Sequence, residues 1–264
     1  MANTTQIVNR PSLFKLLTEP PRAIAELGAF MASRPFLKKF SEGDGHVVLV
    51  LPGFMTSDGS TGLLREFLNK RGYDARPWEL GRNYGSPKYV DQIMEKVRSI
   101  VEEERKEVSL IGWSLGGVYA REVARRSPNS IRQVITLGSP FGGIRKENNA
   151  TWLYHLMSGK RIRDIDENAI RDILQSPPVP MTAIFSKGDG IVAWQHCMEL
   201  KEGPRTQNIQ VTGSHCGLGV NPSVIICIMD RLAQPIDTWK PFRPKWYKQF
   251  LYPNLAFSYL GRRR

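Results

Sequence analysis

At 264 residues, with ordinary apolar content and six Trp, the chain is long enough to bury one large α/β domain, a class that runs past about two hundred residues undivided. It has no apolar run of about eighteen residues, so no membrane-spanning helix is expected, and Cys197, Cys216 and Cys227 have neither metal spacing nor the even count of a disulfide framework. The formal charge of +12 is uneven: residues 1–40 carry +4 and residues 240–264 carry +7.

The start, Met1 to Gln6, lacks a basic region followed by an apolar stretch, which is not the pattern of a signal peptide. With no disulfide framework in view, a reduced, cytoplasmic protein is the expectation, peripheral to a membrane at most. Leu13, Leu16, Leu17, Ile24, Leu27, Phe30 and Met31 are placed to form amphipathic helices, broken at Pro20-Pro21, that pack on the domain. His46 to Leu51 reads as an apolar strand running into Pro52-Gly53-Phe54-Met55, where Gly53 lets the loop turn its N–H groups inward. Leu63, Leu64, Phe67 and Leu68 make one helix face. Tyr89 to Glu104 makes another, with Val90, Ile93, Met94, Val97, Ile100 and Val101 at helical spacing and charges opposite.

Val108 to Trp113 is the most informative stretch. An apolar strand feeds straight into Gly112-Trp113-Ser114-Leu115-Gly116, and a helical segment, Val118 to Arg126, follows. A Gly-x-Ser-x-Gly in that setting puts the serine on a sharp strand-to-helix turn with its Oγ exposed. The helix behind it aims N–H groups and partial positive charge at any oxyanion formed there. Ile131 to Leu137 reads as the next strand, and Phe141 to Pro178 as an insertion. Trp152, Leu153, Leu156 and Met157, then Ile162, Ile165, Ile170, Ile173 and Leu174, suggest a small helical cap over residues 141–178, with His155 belonging to it.

Met181 to Ser186 reads as a buried strand ending at Gly188-Asp189-Gly190, and Asn208 to Val211 as a last short strand before Gly213-Ser214-His215-Cys216-Gly217. Ser114, Asp189 and His215 therefore occur in the chain order nucleophile, acid, base. Cys216, beside His215, reads as a packed thiol, because no sharp turn presents it. Val224 to Leu232 is the closing helix. No His-Glu-x-x-His, Cys-x-x-Cys, full dinucleotide fingerprint or phosphate loop occurs, so neither metal nor cofactor is implied. The tail over 236–264 interleaves Lys and Arg with Trp239, Phe242, Trp246, Tyr247, Phe250 and Tyr252. Three readings stand for it: a tail folded back on the body, an anionic membrane surface as partner, or nucleic acid, for which no base-reading motif is present.

Four segments together resemble the α/β-hydrolases of the bacterial lipase and esterase type: Gly112 to Gly116, Thr136-Leu137-Gly138-Ser139-Pro140-Phe141-Gly142-Gly143, Ser186-x-x-Asp189-Gly190-Ile191-Val192, and Gly213-Ser214-His215. The resemblance spans roughly residues 46 to 233. It implies a single domain over 1–264 with a mostly parallel sheet, helices on both faces and a helical cap. It further implies an oxyanion hole from the N–H groups of Leu115 and Phe54, with Met55 the weaker alternative. Many of these lipases carry His-Gly where this chain has Pro52-Gly53, so any contact of that histidine is lost while the backbone donor is kept. The expected function is hydrolysis of carboxylic esters through an acyl-Ser114, with small-molecule or lipid esters as substrates and activity rising through an ionisation near the histidine value of about 6.5. The alternatives are an acyltransferase or thioesterase on the same triad and, from another class, a non-catalytic scaffold that uses its basic termini to bind an anionic membrane surface.

Overall fold

Short, mostly apolar runs buried on both faces build the sheet. The computed structural model describes residues 10–37, 42–142, 175–199, 202–235 and 238–256. Within them β1 (Val47–Leu51), β2 (Asp74–Pro77), β3 (Val108–Trp113), β4 (Ile131–Leu137), β5 (Met181–Ser186) and β6 (Thr206–Val211) form one sheet in the spatial order β2-β1-β3-β4-β5-β6. All five pairings are parallel, so each crossover has to pass over a face of the sheet. The sheet consequently has two cores. Val48 and Val50 of β1 point into one with Phe30, Leu64, Phe67 and Ile225. Val47, Leu49 and Leu51 point into the other with Ile93, Val97, Tyr119 and Val123.

The helices follow from the same patterns. α1 (Leu13–Leu17) and α2 (Glu19–Leu37) precede the sheet. They are followed in chain order by α3 (Asp58–Asn69), α4 (Tyr89–Glu104), α5 (Leu115–Arg126), α6 (Pro222–Leu232) and the short α7 (Pro253–Ala256). The first two are separated at Thr18, not at Pro20-Pro21. Both prolines sit in the first turn of α2, where an N–H would lack an intrahelical acceptor anyway. The helix after Ser114 opens at Leu115, directly behind the serine. Strand β2 has no counterpart in the sequence reading, because its Asp-Ala-Arg-Pro lies at the sheet edge and needs neither alternation nor every N–H.

The tail folds back over residues 238–256. Phe242 and Tyr252 are buried in the core shared with α6, and the Tyr252 hydroxyl donates to the Ser223 carbonyl at 2.9 Å. Phe250 remains exposed. Of the 141–178 insertion only the two ends are described, and His155 and the apolar residues expected to form the cap lie outside the described residues. Those ends are held by buried Arg121. It packs over the Phe141 ring (3.8 Å to the centroid), donates to the Gln175 carbonyl at 3.0 Å and pairs with buried Glu199. Ser176 also donates to Glu199, at 2.6 Å.

Strand order reverses between β1 and β3, whose neighbours depart to opposite sides. In open parallel sheets the crevice beyond the carboxyl ends of such strands receives ligands. The loop from Pro52 and the turn at Ser114 both lie there. A Cβ on Gly116 would fall on the Leu51 carbonyl oxygen. Gly116→Ala should therefore cost about 1–3 kcal/mol of stability by overpacking. Gly28→Ala, in an open position of α2, should gain about 0.5–1 kcal/mol. Urea unfolding midpoints of the two variants check the opposite signs.

Candidate active site

The turn at Ser114 is the sharpest departure from regular backbone near the crevice. Ser114 sits at φ 52°, ψ −121° between β3 and α5, a region that costs a non-glycine residue on the order of 1–3 kcal/mol. Its N–H donates to the Leu137 carbonyl at 2.8 Å, which ties the turn to the end of β4. A side chain at Gly112 would collide with the Gly117 backbone, so the motif glycines serve close approach of strand and helix.

Asp189 and His215 meet beyond β5 and β6. The His215 Nδ1 lies 2.6 Å from Asp189 Oδ2. The other carboxylate oxygen, Oδ1, accepts the N–H groups of Ile191 at 2.8 Å and Val192 at 2.7 Å. Both side chains are buried, and the Trp113 indole N–H donates to the His215 carbonyl at 3.1 Å. Gly138 lies against this pair: a Cβ there would come 3.1 Å from His215 Nδ1 and 3.3 Å from Asp189 Oδ2. Since Leu137, one residue earlier, holds the Ser114 N–H, the three residues gather at one end of the sheet. Among the described residues no hydrogen bond joins Ser114 Oγ to His215, a contact that often tightens only when substrate is bound.

The Pro52 loop closes on the serine from β1. A Cβ on Gly53 would stand 3.2 Å from the Ser114 Cβ. Buried Asn83 braces this loop, its side-chain Nδ2 donating to the Pro52 carbonyl at 2.9 Å while its backbone carbonyl accepts the Met55 N–H at 2.7 Å. The Met55 donor is thus engaged with Asn83. Leu115 opens α5, where N–H groups of the first turn lack intrahelical acceptors.

Two carboxylates from α2 hold the loops of Asp189 and His215 together. Buried Glu19 accepts the N–H groups of Gly190 at 2.7 Å, His215 at 3.0 Å and Cys216 at 2.9 Å, and pairs with Arg22 at 3.0 Å. Burial works against its charge, but these three amides and Arg22 outweigh it and hold its carboxyl below the usual glutamate range. Glu26 accepts the Ser214 N–H at 2.7 Å and the Asn221 side-chain amide at 2.9 Å. The Ser186 hydroxyl adds a third tie, donating to the Gly213 carbonyl at 2.6 Å and accepting the Gly188 N–H at 2.9 Å.

Burial alone would push the His215 imidazolium down. The Asp189 charge and hydrogen bond, with the Glu19 charge beyond, outweigh it and set His215 above the ordinary histidine value. Cys216 is exposed, not packed as expected. Partial burial of its thiol and the Glu19 carboxylate push it up to about 11, far from a thiolate nucleophile. His46 belongs to the scaffold, its Nε2 meeting the Ser109 hydroxyl at 2.9 Å beneath the sheet. Glu19, Glu26 and Asn83 had no signal of their own in the sequence. A first-turn acid of a helix looks like ordinary dipole compensation, and Glu19 meets Gly190 across 171 positions.

A protein-family model, palmitoyl protein thioesterase, matches residues 79–181, a stretch shorter than half the chain that includes Ser114 and stops before Asp189. No curated protein is similar in sequence. Among solved structures, the chain is similar to Aspergillus fumigatus lipase B at 17% identity and a TM-score of 0.57, over 76% of this chain and 57% of that one, so it spans little more than half that lipase's length. A monoacylglycerol lipase of Paleococcus ferrophilus aligns at 16% identity and a TM-score of 0.52, over 72% and 96% of the two chains. An alpha/beta superfamily hydrolase of Oenococcus oeni PSU-1 does so at 15% and 0.51, over 74% and 96%. Sheet order, crevice and these likenesses agree: the chain has the α/β-hydrolase fold.

Proposed function

We propose that the protein is a serine hydrolase of carboxylic esters, with lipid esters as the substrate class. The observation that carries the reading is the buried His215–Asp189 pair, at 2.6 Å, at the same end of the sheet as a serine on a strained turn. In this mechanism the Ser114 oxygen attacks the ester carbonyl while His215 Nε2 takes the hydroxyl proton. Asp189 holds the Nδ1–H tautomer and stabilises the imidazolium. The N–H groups of Leu115 and Phe54 receive the oxyanion, an effect worth about 10²–10³ in rate per donor. As the carbonyl re-forms, the C–O bond to the alcohol breaks and His215 returns its proton to the leaving oxygen. Water then repeats the sequence on acyl-Ser114, releasing the acid and the free serine.

Acyl thioesters are a second reading. It is favoured by the family model over 79–181 and uses the same steps with a thiol as leaving group. Rates on p-nitrophenyl esters and acyl thioesters of matched chain length separate the two.

On the better substrate, Ser114→Ala and His215→Ala are each expected to lower kcat by about 10³-fold or more without unfolding the protein. Wild-type turnover that survives both would sink the assignment.

The pH profile follows from the charges around His215. Asp189 and Glu19 favour the imidazolium, so the neutral base appears only at higher pH. Activity should rise with a midpoint above the ordinary value of about 6.5, higher than the sequence alone suggested. A flat rate from about pH 5 to 8, with chemistry limiting, would contradict the base role.

Glu19 acts here as a positioning residue. Glu19→Gln removes a charge that raises His215, so the midpoint of the profile should fall. It also loosens two loops, with an expected loss of about 10- to 100-fold in kcat. A variant that loses stability but keeps the wild-type midpoint would reduce Glu19 to a structural contact.

A further inference from the structure

The N-terminal helices present their polarity in reverse. The charged residues of α2 face the protein: Glu19 and Glu26 bond the loops of Asp189 and His215, Arg22 donates to the Gly188 carbonyl at 2.7 Å, and Arg34 pairs with Glu66 at 3.1 Å. Every exposed position of α2 from 20 to 36 is Pro, Ala, Gly, Ile, Met or Phe. Leu13, Phe14, Leu17, Ile24, Met31 and Phe36 are between 42% and 75% exposed. A helix of 19 residues is about 28 Å long, so with α1 ahead of it this is a long apolar strip, and patches of this kind mark contact surfaces.

We propose that the outward face of α1 and α2 docks on an anionic lipid bilayer, the helices lying in the interface with their apolar side chains in the headgroup–acyl boundary. Charge favours this occupant. Exposed Arg10 and Lys187 and half-buried Lys15 border the strip, and the sequence past α2 continues Lys38-Lys39. The two acids of residues 10–37 both point inward. A basic, apolar-faced helix gains from burial and from attraction to an anionic leaflet together, whereas its exposed α2 positions offer a protein partner no side-chain hydrogen bond. Docking would also hold the catalytic loops about one helix diameter from the lipid: Lys15 Nζ donates to the Lys187 carbonyl at 2.8 Å, and Gly190 abuts the Lys15–Leu16 backbone.

Binding is read without turnover, so failure here and failure of the ester-hydrolase reading are distinguishable. The test is co-sedimentation of the full chain with phosphatidylglycerol/phosphatidylcholine vesicles and with phosphatidylcholine vesicles, across a salt series. The wild type is expected to partition onto the anionic vesicles and to weaken as salt screens the basic border. The triple variant Phe14→Ser, Leu17→Ser, Ile24→Ser should bind at least tenfold less. Its thermal midpoint and its rate on a soluble ester should be unchanged, since all three side chains are exposed. Three outcomes would overturn the proposal: no wild-type binding to anionic vesicles, equal binding by the triple variant (which assigns it to the basic tail), or vesicle-free self-association abolished by the triple variant (which assigns the face to a second copy).

Discussion

The backbone of Ser114 is the constraint on which the site depends. A non-glycine residue at φ 52°, ψ −121° persists only where its surroundings over-determine it. Here the Leu137 carbonyl takes its N–H, Gly53 comes against its Cβ, and the Gly112–Gly117 contact leaves no room for a relaxed turn. Those partners lie at the end of β4, just past β1, late in β3 and in the first turn of α5. The parallel sheet, with its reversal of strand order between β1 and β3, brings them to one end. Strain at one residue is thus sustained by the whole central sheet.

Asp189 and His215 stand on loops, where the sheet has less hold. Their placement is taken over by buried carboxylates and hydroxyls that gather backbone amides: Glu19 and Glu26 from α2, and Ser186 from the end of β5. The same groups set the electrostatics. Asp189 and Glu19 keep negative charge near the imidazole, and their pull exceeds the cost of burying an imidazolium. A single N-terminal helix therefore joins three levels: it positions the loops, it biases the ionisation of His215, and its outward side carries the apolar strip. Perturbing α2 should be felt in chemistry and in surface contact alike.

Much of this was legible in the sequence, for reasons that differ by residue. Strand β1 is buried on both faces and reads as a continuous apolar run, while β3, β4 and β5 are mostly apolar runs interrupted by Ser109, by Arg132, Gln133 and Thr136, and by Thr182. α4 shows its helical period over its whole length. Ser114, Asp189 and His215 each follow a strand within a glycine-rich turn, and the structure places all three at the same end of the sheet. Strand β2 escaped because an edge strand needs no apolar pattern. Asn83 and Glu19 escaped because their partners are distant in sequence, and nothing local distinguishes them from a loop amide or a helix-start acid. The N-terminal helices read as amphipathic, and packing on the domain would by itself favour an apolar side turned inward. Leu13, Leu16, Leu17, Ile24 and Met31 instead face outward, and only Phe30 of that set is buried. Periodicity reveals that a helix has two faces, and the buried hydrogen bonds of Glu19 and Glu26 decide which one turns in. In the tail, the folded-back reading is the one that the described residues 238–256 match, since Phe242 and Tyr252 complete the core beside α6.

Reaction with a fluorophosphonate, followed by peptide mapping, tests the nucleophile assignment most directly, because phosphonylation needs an activated serine and no knowledge of the natural acyl chain. Stoichiometric modification of Ser114, with a rate that rises with pH as His215 loses its proton and falls in His215→Ala, is the expected result. Modification of Ser139, Ser214 or another serine in its place, or none on a folded protein, would contradict the assignment of Ser114 as the nucleophile.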